Sequence, residues 1–178
     1  IFERLNTGGT PLAPQEIRSC VYRGSFNEKL KELADHPKWR EIYGPPSVRG
    51  KDQELILRFL ALYHNADNYQ RPLKGFLNEF MDANRKAPSS QLSEWSKLFE
   101  NTATAAADNL TRASFRPERN LNAAVVDAFL VALARRLTQG HVTNPAGLKR
   151  AAASLLGNED FLAAVTSATT NVTSVTRR

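Results

Sequence analysis

The chain has 178 residues, of which 42% are hydrophobic and 24% charged, and this composition is typical of one folded globular domain rather than a disordered or fibrous protein. No stretch is apolar enough to cross a bilayer and no secretory leader is visible, so we expect a cytoplasmic protein without membrane contact. The net charge of +6 fits either polyanion binding or simple solubility.

Helical periodicity dominates the sequence, and no convincing run of alternating apolar and polar residues occurs. The prediction is therefore an all-α fold, an irregular bundle of about seven or eight helices. Trp39 and Ile42 are assigned to a short turn. Helices are predicted over 14–23, 25–36, 51–64, 72–85, 89–110, 122–137 and 144–156, with a further one in "EDFLAAVTSA" and the start of another at the end of the chain. Ser25 and Asn122 are the expected N-caps of their helices, and Asn144 with Pro145 opens another. Ala132 is expected on the core face of the 122–137 helix.

The sequence predicts a single helical domain or fragment over 1–178. Residues 1–50 would hold a Gly-Gly turn and the first helices, and residues 51–178 the helical core. "YGPPSVRGK" at 43–51 is rich in glycine and proline, which suits a surface loop and makes it the best candidate for a hinge. The helix that follows is apolar on nearly every side and is expected to be central.

No catalytic or metal centre stands out. Cys20 shares a helical face with Ile17 and Val21, which favours a small buried hydrophobe over a nucleophile. The histidines lack metal-ligand spacing, and "HNADN" at 64–68 is typical of a polar turn after a helix. We therefore expect no cofactor within this chain.

Basic residues are concentrated between residues 101 and 150, where seven lysines and arginines face three acidic residues. A clustered basic surface is what DNA binding requires, although a solvated surface explains the charge equally well. A helix-turn-helix protein would need a recognition helix rich in Arg, Asn or Gln, and none stands out. The candidate nucleic-acid-binding residues are Arg112, Arg116, Arg119, Arg135 and Arg136.

The chain opens with "IFERLNTGGTPLAPQEIR", which predicts a helix, a Gly-Gly turn and a second helix that begins at Pro14. Backbone N–H groups in such a turn can face an anion, but the segment lacks the P-loop pattern, so a purely structural turn is the stronger local interpretation. Ala13 occupies the expected N-cap, where a polar residue is usual. That helix end is therefore either solvated or satisfied by a ligand or another domain.

Phe2, Asn6 and Leu12 fit a spacing of Phe, three residues, Asn, five residues, Leu. On this motif the opening segment resembles the "domain of unknown function 262" family, the N-terminal domain of GmrSD-type modification-dependent restriction endonucleases. The resemblance continues more weakly through "SCVYRGSFNEKLKEL", "PLKGFLNEFM" and "NEDFLAAVTSATTNVTSVTRR", and so covers most of the chain.

The resemblance implies a parent protein that pairs a ParB-like α/β subdomain with a helical subdomain, and often with an HNH-type nuclease. The nucleotide-linked Asp-Gly-Gln-Gln-Arg motif is absent here, so this chain resembles the helical half, with the ParB-like half upstream as partner. An NTP and a divalent metal would belong to the parent. The resemblance places Asn6, Thr7, Gly8 and Gly9 beside the nucleotide, with Arg4 and Arg18 either reaching a phosphate or remaining surface charges.

Two functional hypotheses follow. The first is the helical subdomain of a nucleotide-dependent, modification-sensing DNA restriction or anti-phage defence protein, which supports nucleotide and DNA binding but is not catalytic alone. The second is a non-enzymatic protein-interaction module, whose apolar patch around Phe2, Leu5 and Leu12 would dock a partner domain. The sequence leaves the oligomeric state open.

Overall fold

A computed structural model describes residues 11–166 and 169–176, and within these ranges the fold is all-helical, as predicted. The described part contains ten α-helices and short 3₁₀ turns at Ala66–Asn68 and Arg112–Phe115. The helices are α1 (Pro14–Val21), α2 (Ser25–Ala34), α3 (Pro37–Tyr43), α4 (Lys51–Asn65), α5 (Leu73–Ala83), α6 (Ser89–Asn109), α7 (Ala123–Leu137), α8 (Pro145–Leu156), α9 (Glu159–Thr166) and α10 (Val172–Thr176).

Helices α4, α6 and α7 form the centre of the bundle, α2 packs against α4 and α6, and α3 packs against α6. The prediction that α4 is the central core helix is confirmed, because nearly all of its apolar side chains are buried. On α6, Ala103 and Ala106 are fully buried, and their small side chains let α3 and α7 approach closely. Edge-to-face contacts of Phe99 with Trp39, and of Phe26 with Trp95, fill the core between these helices.

The helix count was slightly wrong, since Pro37–Tyr43 is a helix and not the predicted turn. Pro37 prevents α2 from continuing, but its fixed φ angle also suits the first turn of a new helix. This seven-residue helix buries Trp39 and Ile42 against α6. The residues that suggested a turn therefore anchor a helix.

The predicted inward face of α1 was wrong. Cys20 is exposed, Val21 is 41% exposed and Ile17 is only partly buried. The side chains that α1 buries are Gln15 and Arg18, and the polar partners on α4 and α5 compensate the buried guanidinium of Arg18. Ala132 on α7, also predicted in the core, is exposed.

Two of the predicted helix starts are confirmed and a third is wrong in detail. Asn122 caps α7 and Asn144 caps α8 through side-chain oxygens that accept backbone N–H groups. Ser25 is the first residue of α2 rather than its cap, and its hydroxyl donates to the carbonyl of Ala87 at 3.2 Å. Ser25 thus ties the start of α2 to the loop before α6.

The loop between α3 and α4 is braced by polar contacts. The Ser47 hydroxyl accepts from the backbone N–H groups of Arg49 and Lys51, and Asp52 accepts from the Ser47 N–H and from Arg40. That this loop acts as a hinge stays a prediction. Among the described helices, none combines the length and apolar character needed to span a bilayer.

Candidate functional site

A cleft of about 450 Å³ lies where three segments meet: the start of α1, the first half of α4 with its preceding loop, and residues 116–123 that lead into α7. We call this the basic cleft, because five cationic side chains line it and Glu54 is the only acidic residue of its lining. The five cations are Arg49, Lys51, Arg58, Arg116 and Arg119.

Several charges around the cleft are already matched. Arg58 is buried and donates through Nε and Nη2 to the carboxylate of Asp127. Arg49 pairs with Glu16 and donates to the carbonyl of Pro11. Glu54 accepts from the buried guanidinium of Arg18, which neutralises the one carboxylate of the lining.

The remaining cations give the cleft its positive character. Within the described part of the chain, Lys51 and Arg119 have no carboxylate within ion-pair distance, and both are exposed. Arg116 donates to the backbone carbonyls of Ile42 and Tyr43 at 3.0 and 2.8 Å, so it binds the end of α3. Burial and the neighbouring Arg112 lower the pKa of Arg116, as expected for a cation whose partners are neutral.

The start of α1 is organised by its own side chains. Glu16 accepts the backbone N–H of Ala13, the N-cap residue. The hydrogen bond from the Ala13 N–H lowers the pKa of the Glu16 carboxyl, and the neighbouring Arg49 guanidinium lowers it further. A side chain of α1 itself therefore satisfies one backbone donor at the start of this helix.

The predicted site residues fall into separate groups. Residues 4 and 6–9 lie outside the described residues, as do Phe2 and Leu5 of the apolar patch. Arg18 is only 2% exposed and is held by Gln15 and Glu54. Arg112, Arg116 and Arg119 lie at or near the basic cleft, and the Arg112 guanidinium is 3.4 Å from the carbonyl of Tyr43.

Arg135 and Arg136 lie in the last turn of α7, whereas the cleft meets its first residues. The 15 residues of α7 span about 20 Å, so the two arginine groups do not form one groove along this helix. Arg135 instead borders a second cavity of about 670 Å³ between α4, α7 and α10, lined mainly by apolar side chains.

One of the three histidines, His64, lies in the last turn of α4. No group of His, Cys, Asp or Glu residues in the described ranges has a metal-binding arrangement. "HNADN" ends α4 and forms the 3₁₀ turn, and the His64 ring stacks on Trp95 at a centroid distance of 4.9 Å.

Sequence reasoning missed the contribution of Arg49, Lys51 and Arg58 to the basic cleft. They precede Arg112, Arg116 and Arg119 by more than fifty positions, and only the fold brings the two regions together. The one local signal was "SVRGK", with two cations next to a glycine before a helix start. Comparison with known proteins found no matching family model, no matching curated protein and no matching solved structure.

Proposed function

We propose that this chain is the helical, DNA-binding subdomain of a nucleotide-dependent, modification-sensing restriction or defence protein. One observation carries the DNA-binding part: Lys51 and Arg119, from distant segments, line one cleft and lack carboxylate partners among the described residues. The resemblance of the opening segment supports the finer assignment, with a ParB-like half upstream that binds the nucleotide and its metal in the cytoplasm.

The basic cleft suits a phosphate backbone for an electrostatic reason. Each phosphate neutralised by a lysine or arginine releases condensed counterions from the duplex, and this release drives binding. Such contacts fix the position of the protein on DNA without reading sequence. In this proposal the helical subdomain supplies affinity, and any reading of modified bases belongs to other parts of the parent.

Fluorescence anisotropy with a labelled duplex at several salt concentrations tests the DNA proposal. Arg119→Ala and Lys51→Ala should each weaken binding several-fold and lower the slope of log affinity against log salt by about one. The exposed residues Arg23 and Lys97 provide matched controls, since Arg23→Ala and Lys97→Ala remove the same charges elsewhere.

Two results would contradict the proposal. One is no binding of the duplex at low salt. The other is an equal loss of affinity in the two control variants, which would mean that only net charge matters.

The nucleotide part needs the longer parent protein. Asn6→Ala in that protein should impair nucleotide hydrolysis if the Gly-Gly turn borders the nucleotide. Turnover equal to wild type would reject the residue assignment, but it would leave the DNA proposal intact.

A second candidate function is a protein-interaction module. Leu12 and Val21 are 42% and 41% exposed near the two ends of α1, which favours a partner surface on this helix. Analytical ultracentrifugation of the chain with and without the upstream domain tests this idea. Loss of binding to the upstream domain in Leu12→Ser would support it. Binding by this variant as strong as that of the wild type would reject it.

A further inference from the structure

Gln15 has a buried side-chain amide, and the part of the chain that the structure describes offers no acceptor to its donor side. Its side-chain oxygen accepts from Nε of Arg18 at 2.8 Å. Because Nε of arginine only donates, this contact fixes which end of the amide is the oxygen. The other end, Nε2, is buried without a hydrogen-bond partner among the described residues, and the whole residue is 1% exposed.

An unsatisfied buried donor destabilises a fold and calls for an explanation. Gln15 lines the basic cleft, and Nε2 itself has almost no accessible surface, so a small movement of this side chain would bring Nε2 to an acceptor in the cleft. The carboxylate of Glu54 is the acidic group of the lining, and Arg18 already binds it. Lys51 and Arg119 add positive charge with no carboxylate of the described chain to match it.

We propose that the basic cleft is a phosphate site, in which a phosphate oxygen accepts from Nε2 of Gln15 and Lys51 and Arg119 balance the charge. This inference rests on the proposed function, since both assign phosphate to the same cleft. The cleft volume of about 450 Å³ is ordinary for small-ligand sites. The phosphate comes either from a DNA backbone or from a free phosphate compound.

Isothermal titration of the 178-residue chain with inorganic pyrophosphate tests the site. Gln15→Glu is the sharpest variant, because it keeps an oxygen for Arg18 and replaces the unused donor by an acceptor. We expect saturable binding to the wild type and an affinity about tenfold lower in Gln15→Glu. Arg119→Ala changes an exposed residue, preserves the fold and should also weaken binding several-fold.

Gln139→Glu is the matched control. Gln139 is exposed just beyond α7, so this variant has the same net charge as Gln15→Glu without touching the cleft. Its affinity for pyrophosphate should stay close to wild type. Equal losses in the two glutamate variants, or no saturable binding to the wild type, would overturn the phosphate site.

Duplex DNA in the same variants identifies the source of the phosphate. If Gln15→Glu weakens both ligands, the site holds a backbone phosphate. If it weakens pyrophosphate alone, the site holds a free phosphate compound. If pyrophosphate binds through Gln15 but the wild type never binds DNA, the phosphate site stands and the proposed DNA-binding function fails.

Discussion

At the scale of single residues, His64 shows how packing changes a titratable group. Its ring stacks on Trp95 with an interplanar angle of 29° and meets Tyr63 edge-on. Partial burial by this packing lowers the pKa of His64 below its usual range, because the charged imidazolium loses hydration. Folding therefore shifts the protonation equilibrium of His64 toward the neutral ring.

The stability of the fold should depend on the protonation of His64. In the unfolded chain the pKa returns to about 6.5, so below that pH the unfolded state binds more protons than the folded state. The free energy of unfolding should therefore fall as the pH drops from about 7.5 to about 5.5. Urea unfolding at both pH values measures this decrease.

His64→Phe keeps an aromatic ring against Trp95 but removes the titration. Its free energy of unfolding should decrease less than that of the wild type over the same pH interval. An identical decrease in both proteins would show that other groups account for the pH dependence.

At the scale of elements, the start of α7 joins two helices through one side chain. The Asn122 oxygen accepts from the N–H groups of Ala124 and Val125 at 2.9 and 3.1 Å. Its amide nitrogen donates to the carbonyl of Val165 on α9 at 2.9 Å. This residue therefore caps α7 and also fixes the position of α9 against it.

Asn122→Ala should lower the free energy of unfolding by about 1–2 kcal/mol, because the cap and the link to α9 are both lost. Asn122→Asp keeps the capping oxygen and loses only the link, so its loss should be smaller. Urea denaturation of the three proteins checks this order. A loss in Asn122→Asp as large as in Asn122→Ala would mean that the cap contributes nothing.

Most of the helix ends were predictable because the signals are local. Two helix starts are marked by a capping asparagine, at Asn122 and at Asn144, and the second also by Pro145 in the first helical position. The spacing of apolar residues predicts α4 and α6. The buried face of α1 was not predictable in this way. Arg18 is buried because Glu54 and Asn78 meet it from far along the chain, and no local pattern contains that information.

The candidate site was predictable only in part, for the same reason. The charge excess between residues 101 and 150 pointed to Arg116 and Arg119. It also suggested Arg135 and Arg136, but these lie in the last turn of α7, whereas the cleft borders the first turn of this helix. Gln15 carried no sequence signal, since its unused donor exists only where the fold buries it.

At the scale of the whole molecule, one ion pair stands between the two cavities. Arg58 on α4 lines the basic cleft, and Asp127 on α7 lines the apolar cavity beside α10. Burial alone would lower the pKa of Arg58, but the charge and hydrogen bonds of Asp127 outweigh burial and raise it. The pair is therefore a matched unit within the interface of the central helices α4 and α7.

Asp127→Ala should destabilise the protein by about 3–5 kcal/mol, because it leaves the Arg58 guanidinium buried without its anion. Urea unfolding monitored by tryptophan fluorescence measures the loss. Asp67 borders the same apolar cavity from an exposed position, so Asp67→Ala serves as the control and should change stability little. Equal stability of the two variants would show that the buried pair is not needed.

The exposure of Cys20 has a practical consequence. It is the chain's single cysteine, and its thiol is accessible on the helix that bears Gln15. A maleimide dye would therefore attach at one known position without any engineering of the sequence. Cys20 follows Gln15 by five residues, so the dye would be attached about 8 Å from Gln15 along the helix axis. At this distance it can report in real time whether a ligand occupies the cleft.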